Sequence, residues 1–209
     1  GDYTGAVRLG WYPLPMSAEP HSRVSLEDYL AAERQAETKS EYLNGEVFAM
    51  SGASRQHNLI VWNLSGALYA QLRGRGCEAY VGDMRVHIPA TGLYTYPDIA
   101  VVCGEPRFED GELDTLLNPT LLIEVFSPST EGYDRGKKAA HYRTLDSLRE
   151  YLLVSQEEIR VELLTRQDDG HWLLSEASRL EETVSLSSIG CTLHLADVYE
   201  RVPGSSASQ

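Results

Sequence analysis

The chain has few cysteines and no long apolar run. Three of its 209 residues are cysteines, Cys77, Cys103 and Cys191, and none belongs to a Cys-x-x-Cys pair. So small and odd a number favours a reduced, cytoplasmic compartment over a disulfide framework. The cysteines and histidines show no zinc spacing. No stretch approaches the roughly 18 apolar residues of a membrane span, so no membrane partner is expected.

Basic residues are also scarce. Lysine and arginine number 18 against 31 acidic residues, which gives a formal charge of −13. This balance argues against a protein that coats nucleic acid or anionic membrane through a broad basic surface, although a local basic groove remains compatible with it. The chain also lacks a glycine-rich phosphate loop and a Gly-x-Ser-x-Gly elbow, so neither nucleotide binding of that type nor serine hydrolysis is indicated.

The composition predicts one domain. With 42% apolar residues the chain can build a single sizeable core, which we expect over residues 16–202. Residues 1–15 are expected to be an N-terminal extension, because Met16 and the Ser-Ala-Glu-Pro after it resemble a natural start. The tail 203–209, rich in serine, is expected to be disordered.

Local patterns predict an α/β fold with a central mixed sheet, flanking helices and additional β-hairpins. Ser25 and Ser54 are candidate N-caps of two helices, and Asn44-Gly45 is a strong hairpin signal. Asp168-Asp169-Gly170 predicts a second hairpin. The predicted helices are 26–37, 54–73, 134–145 and 196–201, and the predicted strands are 77–81, 84–89, 97–102, 120–126, 151–155, 159–165, 171–176 and 183–186.

Two carboxylates interrupt the predicted strands. Asp98 lies in the strand 97–102, and Glu124 lies in the continuous apolar run 120–126, which is typical of a central strand covered on both faces. An ionised carboxylate in such a strand is costly unless it is paired, hydrogen-bonded or bound to a metal. Because Mg²⁺ prefers a few carboxylate oxygens plus water, the two acids predict a Mg²⁺ or Mn²⁺ site.

Lys138, on the helix after the glutamate strand, completes a candidate catalytic set of Asp98, Glu124 and Lys138. A lysine beside the metal would orient or deprotonate the attacking water, or stabilise charge on phosphate. The alternatives are a strand-end Asp98 that accepts backbone N–H groups, a buried ion pair of Glu124 with a basic residue, and a Lys138 on a solvated helix face. The residues alone leave these open.

The sequence as a whole resembles the Uma-two family, a bacterial branch of the PD-(D/E)XK nuclease superfamily. Pro97-Asp98 and Glu124 match that pattern, but Phe126 stands where the strict motif has its lysine. The matching segments are 39–46 (KSEYLNGE), 51–58 (SGASRQHN), 82–85 (GDMR), 96–98 (YPD), 123–130 (IEVFSPST), 133–138 (YDRGKK) and 148–154 (LREYLLV). The resemblance implies a restriction endonuclease-like core and divalent metal at Asp98 and Glu124. It also implies a lysine moved to the following helix, where Lys138 matches the family position and Lys137 a variable one.

Four further residues are weaker candidates for the site. Some superfamily members add an acid from an N-terminal element, and Glu41 is the candidate here, with a solvated hairpin face as the alternative. His57 near the start of the second helix is a capping or structural histidine in its alternative interpretation. Asp83 is either a metal neighbour or a turn residue, and Asp134 either meets Lys138 four residues later or caps the helix.

These observations predict a metal-dependent endonuclease that hydrolyses phosphodiester bonds, with DNA as its partner and substrate. One alternative is a catalytically inert relative that serves as a binding or dimerisation module. Another is a hydrolase of a small phosphorylated molecule. A homodimer is a further expectation, with a strand such as 159–165 pairing between subunits.

Overall fold

The computed structural model describes residues 23–204, in which helices and strands follow the mixed order expected of an α/β protein. The predicted extension at 1–15 and most of the predicted tail at 203–209 lie outside the described residues. The helices are α1 (Leu26–Glu33), α2 (Arg55–Leu72), α3 (Ala139–Tyr142) and α4 (Leu195–Val198), with a π-helical segment, Tyr133–Lys138, directly before α3. The strands are β1 (Ser40–Leu43), β2 (Glu46–Ala49), β3 (Cys77–Val81), β4 (Arg85–Ile88), β5 (Leu93–Thr95), β6 (Ile99–Cys103), β7 (Thr115–Leu116), β8 (Leu121–Phe126), β9 (Glu150–Ser155), β10 (Val161–Arg166), β11 (Trp172–Ala177), β12 (Thr183–Leu186) and β13 (Cys191–His194).

A six-stranded mixed sheet forms the centre of the fold. Its order is β11-β10-β9-β8-β6-β3, and β8 and β9 are its parallel pair. A second sheet has the order β2-β1-β5-β4-β7, and β12 pairs with β13. The predicted α/β fold with a mixed sheet and hairpins is therefore confirmed. Strand β10 lies between β9 and β11, so the expectation that it pairs with a second subunit is wrong; β11 and β3 are the edge strands.

Serine caps and an Asn-Gly turn define the ends of several elements. The Ser25 hydroxyl accepts the N–H of Asp28, and the Ser54 hydroxyl accepts the N–H of His57, so both serines cap helices. At the β1–β2 turn Asn44 and Gly45 both have positive φ, 50° and 96°, which is the geometry of a type I′ hairpin.

Strand β8 is buried along its whole length and alternates between two cores. Leu121, Ile123 and Val125 pack with α2, α4 and the β12–β13 pair. Leu122 and Phe126 pack on the opposite face with α3 and residues of the second sheet. Glu124 points to this second face, because side chains two residues apart in a strand share a face.

Three helix predictions differ from the structure at their ends; the helix expected at 196–201 is α4, which ends at Val198. Helix α1 ends at Glu33, four residues early, because the Glu33 carboxylate accepts the Ser40 N–H and hydroxyl and fixes the turn into β1. The helix expected at 134–145 starts as the π-helical segment and becomes α-helical only at Ala139. Strands β5, β7 and β13 were not predicted; they have two to four residues each and little hydrophobic pattern to reveal them.

The expectation of reduced cysteines is wrong for one pair. Cys77 on β3 stands directly opposite Cys103 on β6, with 4.0 Å between their Cα atoms, and the two form a disulfide. Cys191 is buried and free. The spacing in sequence gave no sign of the bond, because only the register of the two strands brings the sulfur atoms together. Among residues 23–204, no helix is both long and apolar enough to cross a membrane.

Candidate active site

Six of the seven candidate site residues line one cavity of about 620 Å³. They are Glu41 from β1, His57 from α2, Asp98 before β6, Glu124 from β8, and Asp134 and Lys138 from the π-helical segment. The register of β6 and β8 pairs Ile99 with Ile123, so Asp98 comes opposite Glu124 one residue further on. Two neighbouring antiparallel strands therefore bring the two carboxylates together.

Glu124 and Lys138 form a buried ion pair. The Lys138 Nζ lies 2.9 Å from Glu124 Oε1, and the Tyr142 hydroxyl donates to the same oxygen at 2.7 Å. Only 7% of the Glu124 side chain and 5% of the Lys138 side chain are exposed. Both donors use Oε1, which leaves Oε2 free of these two contacts. The arrangement thus contains the ion pair that was the alternative interpretation of Glu124, and it still presents a carboxylate oxygen.

Glu41 lies on the other side of Lys138. Its Oε1 is 3.2 Å from Lys138 Nζ and accepts the Thr95 hydroxyl, while its Oε2 accepts the Tyr133 hydroxyl at 2.9 Å. Three donors, two from the π-helical segment and one from β5, therefore hold a carboxylate that sequence patterns placed only on a hairpin. A solvated hairpin face, the alternative interpretation, does not describe a residue with 6% exposure.

Asp98 is fixed by backbone and by histidine. Its Oδ2 accepts the Val125 N–H at 2.7 Å, and its Oδ1 lies 3.0 Å from His57 Nε2. The other His57 nitrogen, Nδ1, lies 3.2 Å from the Val125 carbonyl oxygen. Both imidazole nitrogens face acceptors, which suits the doubly protonated ring. The His57 side chain thus connects Asp98 to the backbone of β8.

Burial and unbalanced charge shift the pKa values of the cluster. Burial raises the pKa of Glu124 to about 8; Lys138 opposes the shift, and the neighbouring carboxylates of Asp98 and Asp134 add to it. Burial disfavours the Lys138 ammonium, but Glu124 and Glu41 outweigh it and hold the lysine pKa well above its usual value. Lys138 therefore stays charged at neutral pH.

Burial likewise disfavours the charged forms of Glu41 and His57, but the interactions with their hydrogen-bonding and charged partners outweigh this effect. Lys138, Thr95 and Tyr133 lower the pKa of Glu41, and the hydrogen bond and charge of Asp98 raise the pKa of His57. The site consequently holds an ionised Glu41 beside a cationic lysine.

The π-helical segment sets the position of the lysine. Asp134 Oδ1 lies 3.8 Å from Lys138 Nζ, so the two residues do meet, and Asp134 is buried rather than capping a helix. Arg135 on the opposite side makes a two-nitrogen ion pair with Glu162 of β10. Lys137, the other sequence candidate, is exposed to solvent.

Asp83 does not line the cavity. Its side chain is 93% exposed in the bend between β3 and β4, and its Oδ1 lies 3.2 Å from Lys39 Nζ. Lys39 itself reaches the cavity rim and donates to the Gly82 carbonyl at 2.8 Å. The turn interpretation thus fits the place of Asp83.

The donors suit a hard divalent cation. Four carboxylates of the cavity (Glu41, Asp98, Glu124 and Asp134) face three cations (Lys39 at the rim, Lys138 and His57), which leaves one negative charge when all are ionised. The raised pKa of Glu124 is a direct effect of burial together with this excess. Within residues 23–204, no three His, Cys, Asp or Glu side chains are disposed to hold a metal by themselves. A two-carboxylate site completed by water is the arrangement that Mg²⁺ accepts.

Sequence patterns missed several residues of the cavity. Tyr142 was expected in the core, and it is fully buried, but its hydroxyl reaches Glu124. Tyr133 and Thr95, which hold Glu41, and Lys39 at the rim gave no separate signal. The motif segments 39–46 and 133–138 contain Lys39 and Tyr133. Their place inside these segments is the one feature of the sequence that connects them with the site.

The fold and this cavity define a class, a restriction endonuclease-like α/β protein with a buried acidic site. A crystal structure of "a putative nuclease belonging to DUF820" from Anabaena variabilis is similar to this chain, with a TM-score of 0.66 at 19% identity, over 84% of this chain and 97% of that one. At that identity the likeness shows the fold.

A model of the Uma2 family, described as "Putative restriction endonuclease", matches residues 26–196. The chain belongs to this family. It is 42% identical to the uncharacterized protein sll1609 of Synechocystis over 149 residues, which is 71% of this chain and 84% of that protein. It is 36% identical to slr1290 of the same organism, also uncharacterized, over 86% of this chain and 93% of that protein.

Proposed function

We propose that the protein is an endonuclease that depends on Mg²⁺ or Mn²⁺ and hydrolyses phosphodiester bonds of DNA. The observation that carries the proposal is the convergence of Asp98, Glu124 and Lys138 in one cavity of a chain from the family described as "Putative restriction endonuclease". Asp98 and Glu124 would hold the metal, and the excess negative charge around them supports that assignment.

When bound, a divalent cation lowers the pKa of a coordinated water and neutralises charge on phosphate. Lys138 keeps its proton at neutral pH, so it would orient the attacking water or stabilise negative charge on the phosphate rather than act as a general base. Tyr142 and Glu41 would hold the Lys138–Glu124 pair in place, and His57 would hold Asp98.

Lys39 would bind the substrate phosphate at the rim. Its ammonium lies against the carboxylate of Asp83, which is almost fully exposed and therefore a weak partner. Lys39→Gln would raise the KM for DNA more than it lowers kcat. Asp83→Asn would lower the KM, because it removes the carboxylate that competes with the phosphate for the ammonium.

A second candidate is a catalytically inert relative that serves as a binding module. The observation that favours it is the completeness of the ion cluster, in which Lys138 already neutralises part of Glu124 and Glu41. A cavity of about 620 Å³ would also admit a small phosphorylated substrate. A cleavage assay with DNA and with small phosphodiesters as substrates separates these candidates.

The test is cleavage of supercoiled plasmid in Mn²⁺ and in Mg²⁺. Wild type and the exposed control Lys137→Gln would cleave, and Glu124→Gln would be inactive. Equal cleavage by wild type and Glu124→Gln would mean that the activity belongs to a contaminant and would refute the proposal.

We extend the proposal to a homodimer. Strand β11 has an open edge, and its Leu173 and Leu174 side chains are 58% and 54% exposed, which supports pairing between two copies there. Light scattering after size exclusion measures the mass directly, and a monomer at all concentrations would remove this part of the proposal.

A further inference from the structure

Helix α2 has an unusual charge for this protein. Its 18 residues include no aspartate and no glutamate, in a chain that has 31 acidic residues. Arg55 begins the helix, and Arg73 and Arg75 follow its end. Among residues 23–204, no carboxylate forms an ion pair with Arg55 or Arg73. The helix is therefore an acid-free surface with cations at both ends.

The outer face of α2 also carries aromatic rings. Trp62 is 75% exposed and Tyr69 is 69% exposed, which makes them the two most exposed large apolar side chains of the described residues. Positions 55, 58, 62, 66, 69 and 73 recur at intervals of three and four, so they share one face of the helix. The buried face uses Ile60, Leu64, Leu68 and Leu72 instead. Nothing in the fold requires the two rings to be exposed.

This face connects two concave sites. Ser54 and His57 at the start of α2 line the cavity that contains Asp98, Glu124 and Lys138, which we call the catalytic cavity. At the other end, Tyr69, Arg73 and Arg75 line a groove of about 410 Å³, and no acidic residue lies among its lining residues. The helix between them is about 27 Å long at 1.5 Å per residue, which is enough for several nucleotides of a single strand.

We propose that the outer face of α2 binds a single-stranded stretch of the nucleic-acid substrate that extends from the catalytic cavity to this groove. The inference rests on the proposed function and names the form of the substrate. Exposed aromatic rings stack on bases only where the bases are unpaired, and arginines at both ends attract a polyanion.

An acidic residue beside α2 adds to the preference for one strand over a duplex. Glu200 lies on the α4 side, where Asn63 donates to its carbonyl oxygen. A single strand on the outer face of the helix passes beside this residue, whereas the wider duplex comes closer to its carboxylate. The same charge pattern favours a polyanion over a second copy of this acidic chain.

The test measures binding of the full chain to labelled 20-nucleotide oligothymidylate and to a 20-base-pair duplex by fluorescence anisotropy in EDTA. Wild type binds the single strand more tightly than the duplex. Trp62→Ala and Tyr69→Ala each weaken single-strand binding about fivefold or more, and Trp62→Phe keeps most of the affinity. Arg73→Gln reduces the slope of log K against log salt by about 0.7, which Trp62→Ala leaves unchanged.

Leu113→Ala is the matched control. Leu113 is 58% exposed, but it lies just before β7 of the second sheet, whose Leu116 packs in the core on the face away from α2. The affinity of this variant for the single strand equals that of wild type.

Several outcomes overturn the inference. They are wild-type affinity in both aromatic variants, a preference of wild type for duplex, and no binding of either probe. A change of Trp62→Ala from dimer to monomer with unchanged oligonucleotide affinity would assign the face to contact between copies. Plasmid cleavage by wild type together with normal binding by Trp62→Ala removes only this inference. Loss of binding in Trp62→Ala without cleavage by wild type upholds the inference and removes the proposed nuclease activity.

Discussion

Replacement of Lys138 by methionine tests how the acidic cluster is held. The change keeps the unbranched apolar stem of the side chain and removes the ammonium that lies 2.9 Å from Glu124 and 3.2 Å from Glu41. Removal of one partner of a buried ion pair costs about 3–5 kcal/mol, because the other charge stays buried without compensation. For a domain of this size, that loss lowers Tm by roughly 6–20 °C.

The cost of Lys138→Met depends on pH through Glu124. Burial raises the pKa of Glu124 from its usual 4.5 to about 8, so the folded state holds a proton that the unfolded state releases. Stability from this proton is fully present below pH 4.5 and is lost as pH rises through 8. Without the Lys138 charge the pKa rises further. The variant is therefore closest to wild type near pH 5 and is most destabilised near pH 9.

Thermal unfolding from pH 5 to 9 measures both effects, and the neighbouring Lys137→Met is the control. Lys137 is exposed and makes no ion pair within residues 23–204, so its replacement changes Tm little at any pH. Divalent cation added at pH 8 returns part of the lost stability to Lys138→Met, since it supplies positive charge near Glu124. Equal unfolding of the two variants across this range would refute the cluster as described.

Three further predictions concern single contacts. Tyr142→Phe removes a buried donor to Glu124, so it lowers the free energy of unfolding by about 1–2 kcal/mol and reduces Mn²⁺-dependent cleavage; an unchanged denaturant midpoint and rate would contradict this. Cys77→Ser with Cys103→Ser removes a bond that closes 26 residues, and the double variant loses about 3 kcal/mol of stability, as wild type does in reductant; equal melting with and without reductant would argue against the bond. Glu150→Gln disturbs a fully buried carboxylate that accepts four hydrogen bonds from the turn after β12, and about 1–3 kcal/mol of stability is lost with cleavage unaffected; a wild-type denaturation curve would show that these bonds contribute nothing.

Sequence patterns located the strands that carry the carboxylates. Glu124 was recognisable because it interrupts a run that is apolar on both strand faces, and the structure buries every residue of β8. Asp98 was recognisable as a candidate metal ligand because it follows Pro97 in a segment that matches the family motif. Lys138 was preferred to Lys137 by its motif position, and it is the one of the two that is buried.

The contacts around these residues could not be predicted, because they depend on register and helix geometry. Asp134 and Lys138 are presented by a π-helical segment, which no hydrophobic period in the sequence indicates. The disulfide Cys77–Cys103 depends on the pairing of β3 with β6, although each strand was predicted separately. Asp83 belongs to one of the motif segments, but the bend after β3 turns its side chain to solvent.

Binding of Mn²⁺ to the intact protein, followed by the loss of the free-ion signal in electron paramagnetic resonance, tests the central claim most directly. We expect that wild type and the exposed control Asp83→Asn bind the ion, whereas Asp98→Asn and Glu124→Gln, both of which keep the size of the side chain, do not. Equal binding by all four proteins, or no binding by wild type, would contradict the assignment of Asp98 and Glu124 as the metal site.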